Sequence, residues 1–83
     1  MFTRTINQPV SVTSVYFGGR RFEAYPKRIE FDGTTYTFRD GVQCMIKKGQ
    51  DVVRVFTMTD GTSRYRLRFA TDAWTLLNIT PLG

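Results

Sequence analysis

The sequence of 83 residues contains no histidine and a single cysteine, Cys44. Without an imidazole, Ser-His-Asp triads, imidazole general-base catalysis and mixed His/Cys zinc sites are all excluded. One thiol cannot form an internal disulfide or a four-cysteine metal site, which favours a reducing compartment. We therefore predict a non-enzymatic protein with no catalytic residue, no metal and no cofactor.

Long apolar runs are also missing. No segment approaches the roughly 18 consecutive apolar residues of a membrane-spanning helix. The opening MFTRTINQPV lacks the apolar stretch of a signal peptide. These features predict a cytoplasmic protein that has no membrane partner.

Proline is scarce, and it lies outside the strongest periodic runs, at positions 9, 26 and 81. No linker or low-complexity segment divides the chain. The length suits one domain, so residues 1–83 are predicted to form a single β domain with an ordered core from about residue 8 to 80.

Apolar and polar residues alternate with period two, and Thr, Val, Phe and Tyr are abundant, as is typical of half-buried strands. Asp-Gly pairs at 32–33, 40–41 and 60–61, together with KKGQ at 47–50, predict turns. The pattern predicts strands near 9–17, 20–25, 27–31, 35–39, 42–47, 51–58, 63–70 and 73–80. The fold is predicted to be all-β, a small antiparallel meander forming an SH3-like or partly open barrel. For residues 71–80, a short helix capped by Thr71 or Asp72 is the alternative to a strand.

The clearer hairpin is KRIEFDGTTYTF. A two-residue loop at Asp32-Gly33 sets Phe31 opposite Thr34 and Ile29 opposite Tyr36, with apolar residues on one face and polar residues on the other. Its role is predicted to be structural.

The hairpin around SRYRLRF allows two registers. A two-residue loop at Asp60-Gly61 would place Arg54 opposite Leu67 and bury a charge. We therefore predict a three-residue loop, 59–61, that pairs Val55 with Tyr65. The predicted core is Ile29, Phe31, Tyr36, Phe38, Cys44, Val53, Val55, Tyr65, Leu67, Phe69 and Trp74.

This register leaves a basic face with interleaved apolar side chains. Twelve Lys and Arg against seven Asp and Glu give a net charge of +5, which is compatible with a polyanionic partner. Guanidinium groups suit phosphate, and an exposed phenylalanine could stack on a base. The candidate nucleic-acid interface is Arg54, Phe56, Met58, Arg64, Arg66 and Arg68. Accessory phosphate contacts are predicted at Arg20, Arg21, Lys47 and Lys48.

Two other interpretations of the same face stay open. It is also typical of a solvated amphipathic strand whose arginines serve solubility. The face or an open sheet edge could instead bind an acidic protein or a second copy of the chain. Nucleic-acid binding, if it occurs, is predicted to be largely independent of base sequence.

Residues 27–80 resemble a group of short uncharacterised β-rich proteins of Saccharibacteria and related candidate-phyla bacteria. The matching features are an aromatic-Asp-Gly-x-x-Tyr hairpin, a Val-Phe-x-x-Thr-Asp-Gly turn, a Tyr-x-Leu-x-Phe strand and a tryptophan in the closing strand. The resemblance implies a cytoplasmic bacterial domain and assigns no activity to any residue.

Overall fold

A computed structural model describes residues 2–83, which form eight strands and no helix. The strands are β1 (Arg4–Pro9), β2 (Ser11–Gly18), β3 (Glu23–Phe31), β4 (Thr34–Thr37), β5 (Asp40–Lys48), β6 (Asp51–Thr59), β7 (Ser63–Ala70) and β8 (Ala73–Pro81). They make two antiparallel sheets, ordered β1-β8-β7-β6-β5 and β2-β3-β4. The all-β, antiparallel prediction is confirmed in its partly open form, because the two sheets do not close into one barrel. Residues 2–83 include no helix with the length and apolar character needed to cross a membrane.

Two tight hairpins have turns whose two central residues both adopt positive φ angles. Asp32 and Gly33 have φ angles of 52° and 75°, the pattern of a type I′ turn. They set Phe31 opposite Thr34, which confirms the predicted register of this hairpin. An equivalent pair with positive φ, Thr71 and Asp72, joins β7 to β8, so the final segment is a strand and not a helix.

The core lies between the two sheets and is largely aromatic. Tyr25 of the three-stranded sheet meets Phe56 edge-on at 5.5 Å between ring centroids, and Phe38 meets Tyr65 at 5.0 Å. The buried cluster consists of Ile29, Phe38, Phe56, Met58, Tyr65, Leu67, Leu76 and Ile79. Burial of these large side chains is the main term that stabilises so small a domain.

The predicted core is correct in part. Ile29, Phe38, Tyr65 and Leu67 are in the cluster, and Phe31, Tyr36, Phe69 and Trp74 pack against it while half-buried. Val55 is buried and Val53 half-buried, but neither belongs to this cluster. The prediction for Cys44 is wrong, because its side chain is exposed on β5, the edge strand of the larger sheet. Phe56, Met58, Leu76 and Ile79 complete the core and were not predicted.

Two strand boundaries that lie near prolines differ from the sequence prediction. The predicted strand 9–17 is two strands, because the chain passes at Val10 from the larger sheet to the smaller one. The predicted break at Pro26 is wrong, since β3 runs through it. Pro26 lies beyond the stretch of β3 that pairs with β4, and next to a register irregularity of β2, where a missing N–H is tolerated.

The predicted turn at Asp40-Gly41 is also wrong. These residues begin β5, and Gly41 lies opposite Met58 of β6. A Cβ atom at Gly41 would contact the Met58 side chain and lie 2.8 Å from the Thr57 carbonyl oxygen. Glycine is therefore required here for space and not for a turn.

The turn between β6 and β7 is organised by Asp60. Its Oδ1 accepts hydrogen bonds of 2.9 Å from the backbone N–H groups of Thr62 and Ser63 and from the Thr62 hydroxyl. Its Oδ2 accepts one of 2.7 Å from the Tyr65 hydroxyl. Partial burial by itself raises the pKa of Asp60, but these hydrogen bonds outweigh burial and lower the pKa to about 2 from an ordinary 3.8. Burial and the bond to Asp60 raise the pKa of Tyr65.

We expect Asp60→Asn to destabilise the protein at neutral pH and to do so less in acid. The folded-state pKa of Asp60 lies below the ordinary value, so its stabilising contribution is full above pH 3.8 and is lost as the pH falls through about 2. At neutral pH the loss should be about 1 kcal/mol, because the turn is partly exposed to solvent. Urea unfolding of both proteins between pH 6 and pH 2 measures the difference. A gap that stays constant over that range would contradict the assignment to the ionised carboxylate.

Candidate nucleic-acid interface

The pairing of β6 with β7 decides which side chains share a face with the arginines. Tyr65 lies opposite Met58, and Leu67 lies opposite Phe56. Thr59 and Arg64 form the last pair of the two strands, so four residues, 60–63, lie inside it instead of the predicted three; Ser63 belongs to β7 through its pairing with β8. Both registers considered from the sequence are therefore wrong. The observed partner of Tyr65, Met58, is three positions from the predicted partner, Val55. Because side chains alternate along a strand, a shift by an odd number of positions places the opposite face of β6 on the same side as Tyr65 and Leu67.

Phe56 and Met58 consequently point into the core. Phe56 is 1% exposed and Met58 is 0% exposed. Neither can contact a base in the folded protein, so the prediction that Phe56 and Met58 belong to the interface is wrong. The sequence did not show this because β6 carries apolar residues on both of its faces.

Arg54 lies on the core side of the larger sheet, near its end. It is half-buried and lies between Met45 of β5 and Phe69 of β7 in the sheet register. The register therefore separates Arg54 from the other arginines of the predicted interface, which lie on the opposite side.

Arg64, Arg66 and Arg68 remain together, and we call them the arginine face. All three are exposed on β7, on the side of the larger sheet that points away from the core. Successive members are about 7 Å apart along the strand, since alternate residues of a strand share a face. Their partners across the ladder are Thr59 and Thr80 for Arg64, Thr57 and Asn78 for Arg66, and Val55 and Thr75 for Arg68. None of these partners is acidic.

A shallow depression of about 370 Å³ lies beside the first two arginines. At one side of it, the hydroxyl groups of Thr3 and Thr80 are 2.8 Å apart and share a hydrogen bond. The depression is lined by Thr3, Val42, Thr57, Arg64, Arg66, Asn78 and Thr80. Two guanidinium groups, several hydroxyls and one amide thus surround one concave surface, a set of donors that suits an anion.

The polar partners of the arginines were not identified from the sequence. Thr3, Asn78 and Thr80 come from the two ends of the chain, and they reach β7 only because β1 and β8 complete the sheet beside it. No local pattern in the sequence indicates that pairing. The sequence did show that β8 carries no charged residue, which indicates that this strand supplies no carboxylate to the arginines.

The predicted accessory residues lie elsewhere. Arg20 and Arg21 are exposed in the turn between β2 and β3, where they line a separate depression with Glu23, Gln43 and Met45. Lys47 and Lys48 are exposed at the end of β5, where Lys48 pairs with Asp51. Their role as phosphate contacts stays a prediction.

Side chains of the kinds that bind metal ions are dispersed in the described part of the chain. Residues 2–83 do not bring three Cys, Asp or Glu side chains together in a group that could hold a metal ion. No protein-family model, curated protein or solved structure matches the chain, so the resemblance to short Saccharibacteria proteins stays a prediction.

Proposed function

We propose that the protein is a small non-enzymatic module that binds nucleic acid through the phosphates, using the arginine face. The observation that carries the proposal is the row of three exposed arginines whose ladder partners include no carboxylate. Arginine is suited to phosphate because its planar guanidinium donates two parallel hydrogen bonds. A cytoplasmic location is part of the proposal, and it rests on the single cysteine.

The composition of the face supports contact with the backbone and not with the bases. Side chains next to the arginines across the ladder are valine, threonine and asparagine, and none is aromatic. Such a face lacks the stacking platform of proteins that hold single-stranded bases. We therefore expect binding with little sequence preference and with strong dependence on salt.

We expect the wild-type protein to lose affinity roughly 20- to 40-fold between 50 and 200 mM salt if three phosphates are contacted. The Arg64→Ser/Arg66→Ser/Arg68→Ser variant should lose most of the low-salt affinity and most of the salt dependence. Fluorescence anisotropy of labelled single- and double-stranded DNA and RNA measures both quantities.

The matched control removes three other exposed arginines, Arg4, Arg28 and Arg39, none of which belongs to the predicted interface or to its accessory residues. Its net charge equals that of the first variant. If the control weakens binding as much as the first variant does, binding reflects overall charge and the arginine face is not the site. If the wild type does not bind at 50 mM salt, the proposal fails, and an acidic protein becomes the next partner to test.

A further inference from the structure

The two sheets have four edges, and three of them are poorly suited to pairing with another strand. β1 contains Pro9 and a register irregularity between Thr5 and Gln8. β2 has two irregularities, and β4 is only four residues long. Bulges, proline and shortness are the usual protections of a sheet edge.

The fourth edge, β5, has no bulge, no proline and a long run of residues, and its lysines occupy only its last two positions, Lys47 and Lys48. It runs for nine residues, Asp40–Lys48, in unbroken register with β6 and contains no proline. Its side chains that point away from the core are partly apolar and accessible: Val42 is 66% exposed and Ile46 is 42% exposed, with Cys44 exposed between them. A long, regular edge with exposed apolar residues is a template for strand addition.

The sequence of β5, DGVQCMIKK, is complementary to itself when it is reversed. We propose that β5 pairs with β5 of a second copy of the chain, antiparallel and about a two-fold axis at Cys44. In this register Asp40 faces Lys48 of the second copy, and Val42 faces its Ile46. Each of these pairs occurs twice, because the axis repeats it.

Neighbouring registers lose this match. Centred on Gln43, the pairing sets Asp40 opposite Ile46 of the second copy and leaves Lys48 without a partner. Centred on Met45, it sets Val42 opposite Lys48. A slip by a single residue would bring outward side chains of one copy beside core-facing side chains of the other. The Cys44-centred register alone joins opposite charges and apolar pairs together.

The dimer would have a single sheet of ten strands, five from each copy. Because the pairing keeps outward faces on one side, both arginine faces would lie on the same surface. The two copies of β7 are separated by five strand spacings, or about 24 Å. The dimer does not depend on nucleic-acid binding, since it uses the β5 edge and not the arginines.

Cys44 reports on the proposed pairing directly. Residues opposite each other in an antiparallel pair have Cα atoms about 4.5 to 5.5 Å apart, within the range that a disulfide bridges. Diamide accepts two electrons and two protons from two thiols, and one S–S bond forms. We expect diamide to convert the wild type to a disulfide-linked dimer and the Cys44→Ser variant to remain unlinked.

Placing the cysteine at other positions of β5 tests the proposed register of the two β5 strands. In the Val42→Cys/Cys44→Ser variant, each new cysteine faces Ile46 of the other copy and not its own equivalent, so we expect slow linkage. Adding Ile46→Cys should restore fast linkage, because residues 42 and 46 are then paired across the axis. Equal linkage rates in all three cysteine-containing proteins would indicate random collision and would overturn the register.

Sedimentation equilibrium with reducing agent, up to about 1 mM protein, tests association without any cross-link. We expect the wild-type mass to rise toward that of a dimer and Val42→Lys to weaken association at least 10-fold. The control is Val15→Lys, which charges an exposed valine on the β2 edge and should leave association unchanged. A wild type that stays monomeric at every concentration would refute the dimer, while the anisotropy measurement would still decide the proposed function.

Discussion

Phe56→Ala should destabilise the protein by about 3 to 5 kcal/mol, the usual loss when a buried phenylalanine is truncated. Phe56 is 1% exposed and its ring centroid lies 5.5 Å from that of Tyr25 and 5.1 Å from that of Trp74. The substitution removes contacts with both sheets and leaves a cavity between them. A chain of this size has a total stability of roughly 4 to 12 kcal/mol, so a large share of it would be lost.

Urea unfolding followed by tryptophan fluorescence measures this loss. The control is Val15→Ala, a truncation at a 49% exposed position outside the proposed dimer interface that should change the free energy of unfolding by less than about 0.5 kcal/mol. A loss below about 1 kcal/mol for Phe56→Ala would mean that Phe56 does not lie in the core. The observed register of β6 and β7 would then be wrong.

The second large effect is expected for the pair Gly41 and Met58. A Cβ at position 41 would lie 2.7 Å from Met58 Cε and 2.8 Å from the Thr57 carbonyl oxygen, so Gly41→Ala should cost about 1 to 3 kcal/mol by overpacking. Met58→Ala should cost about 2 to 5 kcal/mol by leaving a cavity. In the double variant, the new methyl group at 41 occupies part of the space that Met58 vacates.

We therefore expect the double variant to be more stable than the sum of the two single losses indicates, by about 1 kcal/mol or more. A double-mutant cycle of urea unfolding measures that coupling. Relief should be incomplete, because the Thr57 carbonyl still crowds position 41 in the double variant. Losses that add within about 0.5 kcal/mol would show that the two side chains do not compete for space.

The parts of the fold that follow from local chemistry were predictable. Asp32-Gly33 specifies its own turn, and the alternation on either side of it then determines the register. The arginine face was predictable for the same reason. In SRYRLRF the arginines alternate with buried or half-buried side chains, so whichever strand β7 pairs with, they stay on one face.

The register of β6 could not be obtained in this way. Val53 and Val55 lie on one face of β6, and Phe56 and Met58 lie on the other, so its alternation favours neither. The longer turn depends on the hydrogen bonds of Asp60, one of which comes from Tyr65, a residue beyond the turn. Likewise, Asp40-Gly41 has the composition of a turn, and only its pairing with Thr59 and Met58 of β6 shows that it begins a strand.

The pairing of β1 with β8 has a mechanical consequence. These strands are antiparallel, and Arg4 lies opposite Ile79, so residues 3 and 80 emerge at the same end of the sheet. A force that pulls residues 3 and 80 apart acts across the strands and along the interstrand hydrogen bonds, which it loads one pair at a time. The Thr3–Thr80 hydrogen bond breaks first, and β1 then peels from β8 as a zipper opens. The protein should therefore yield at a much lower force when it is stretched from these two points than when it is sheared along the strands of the same sheet.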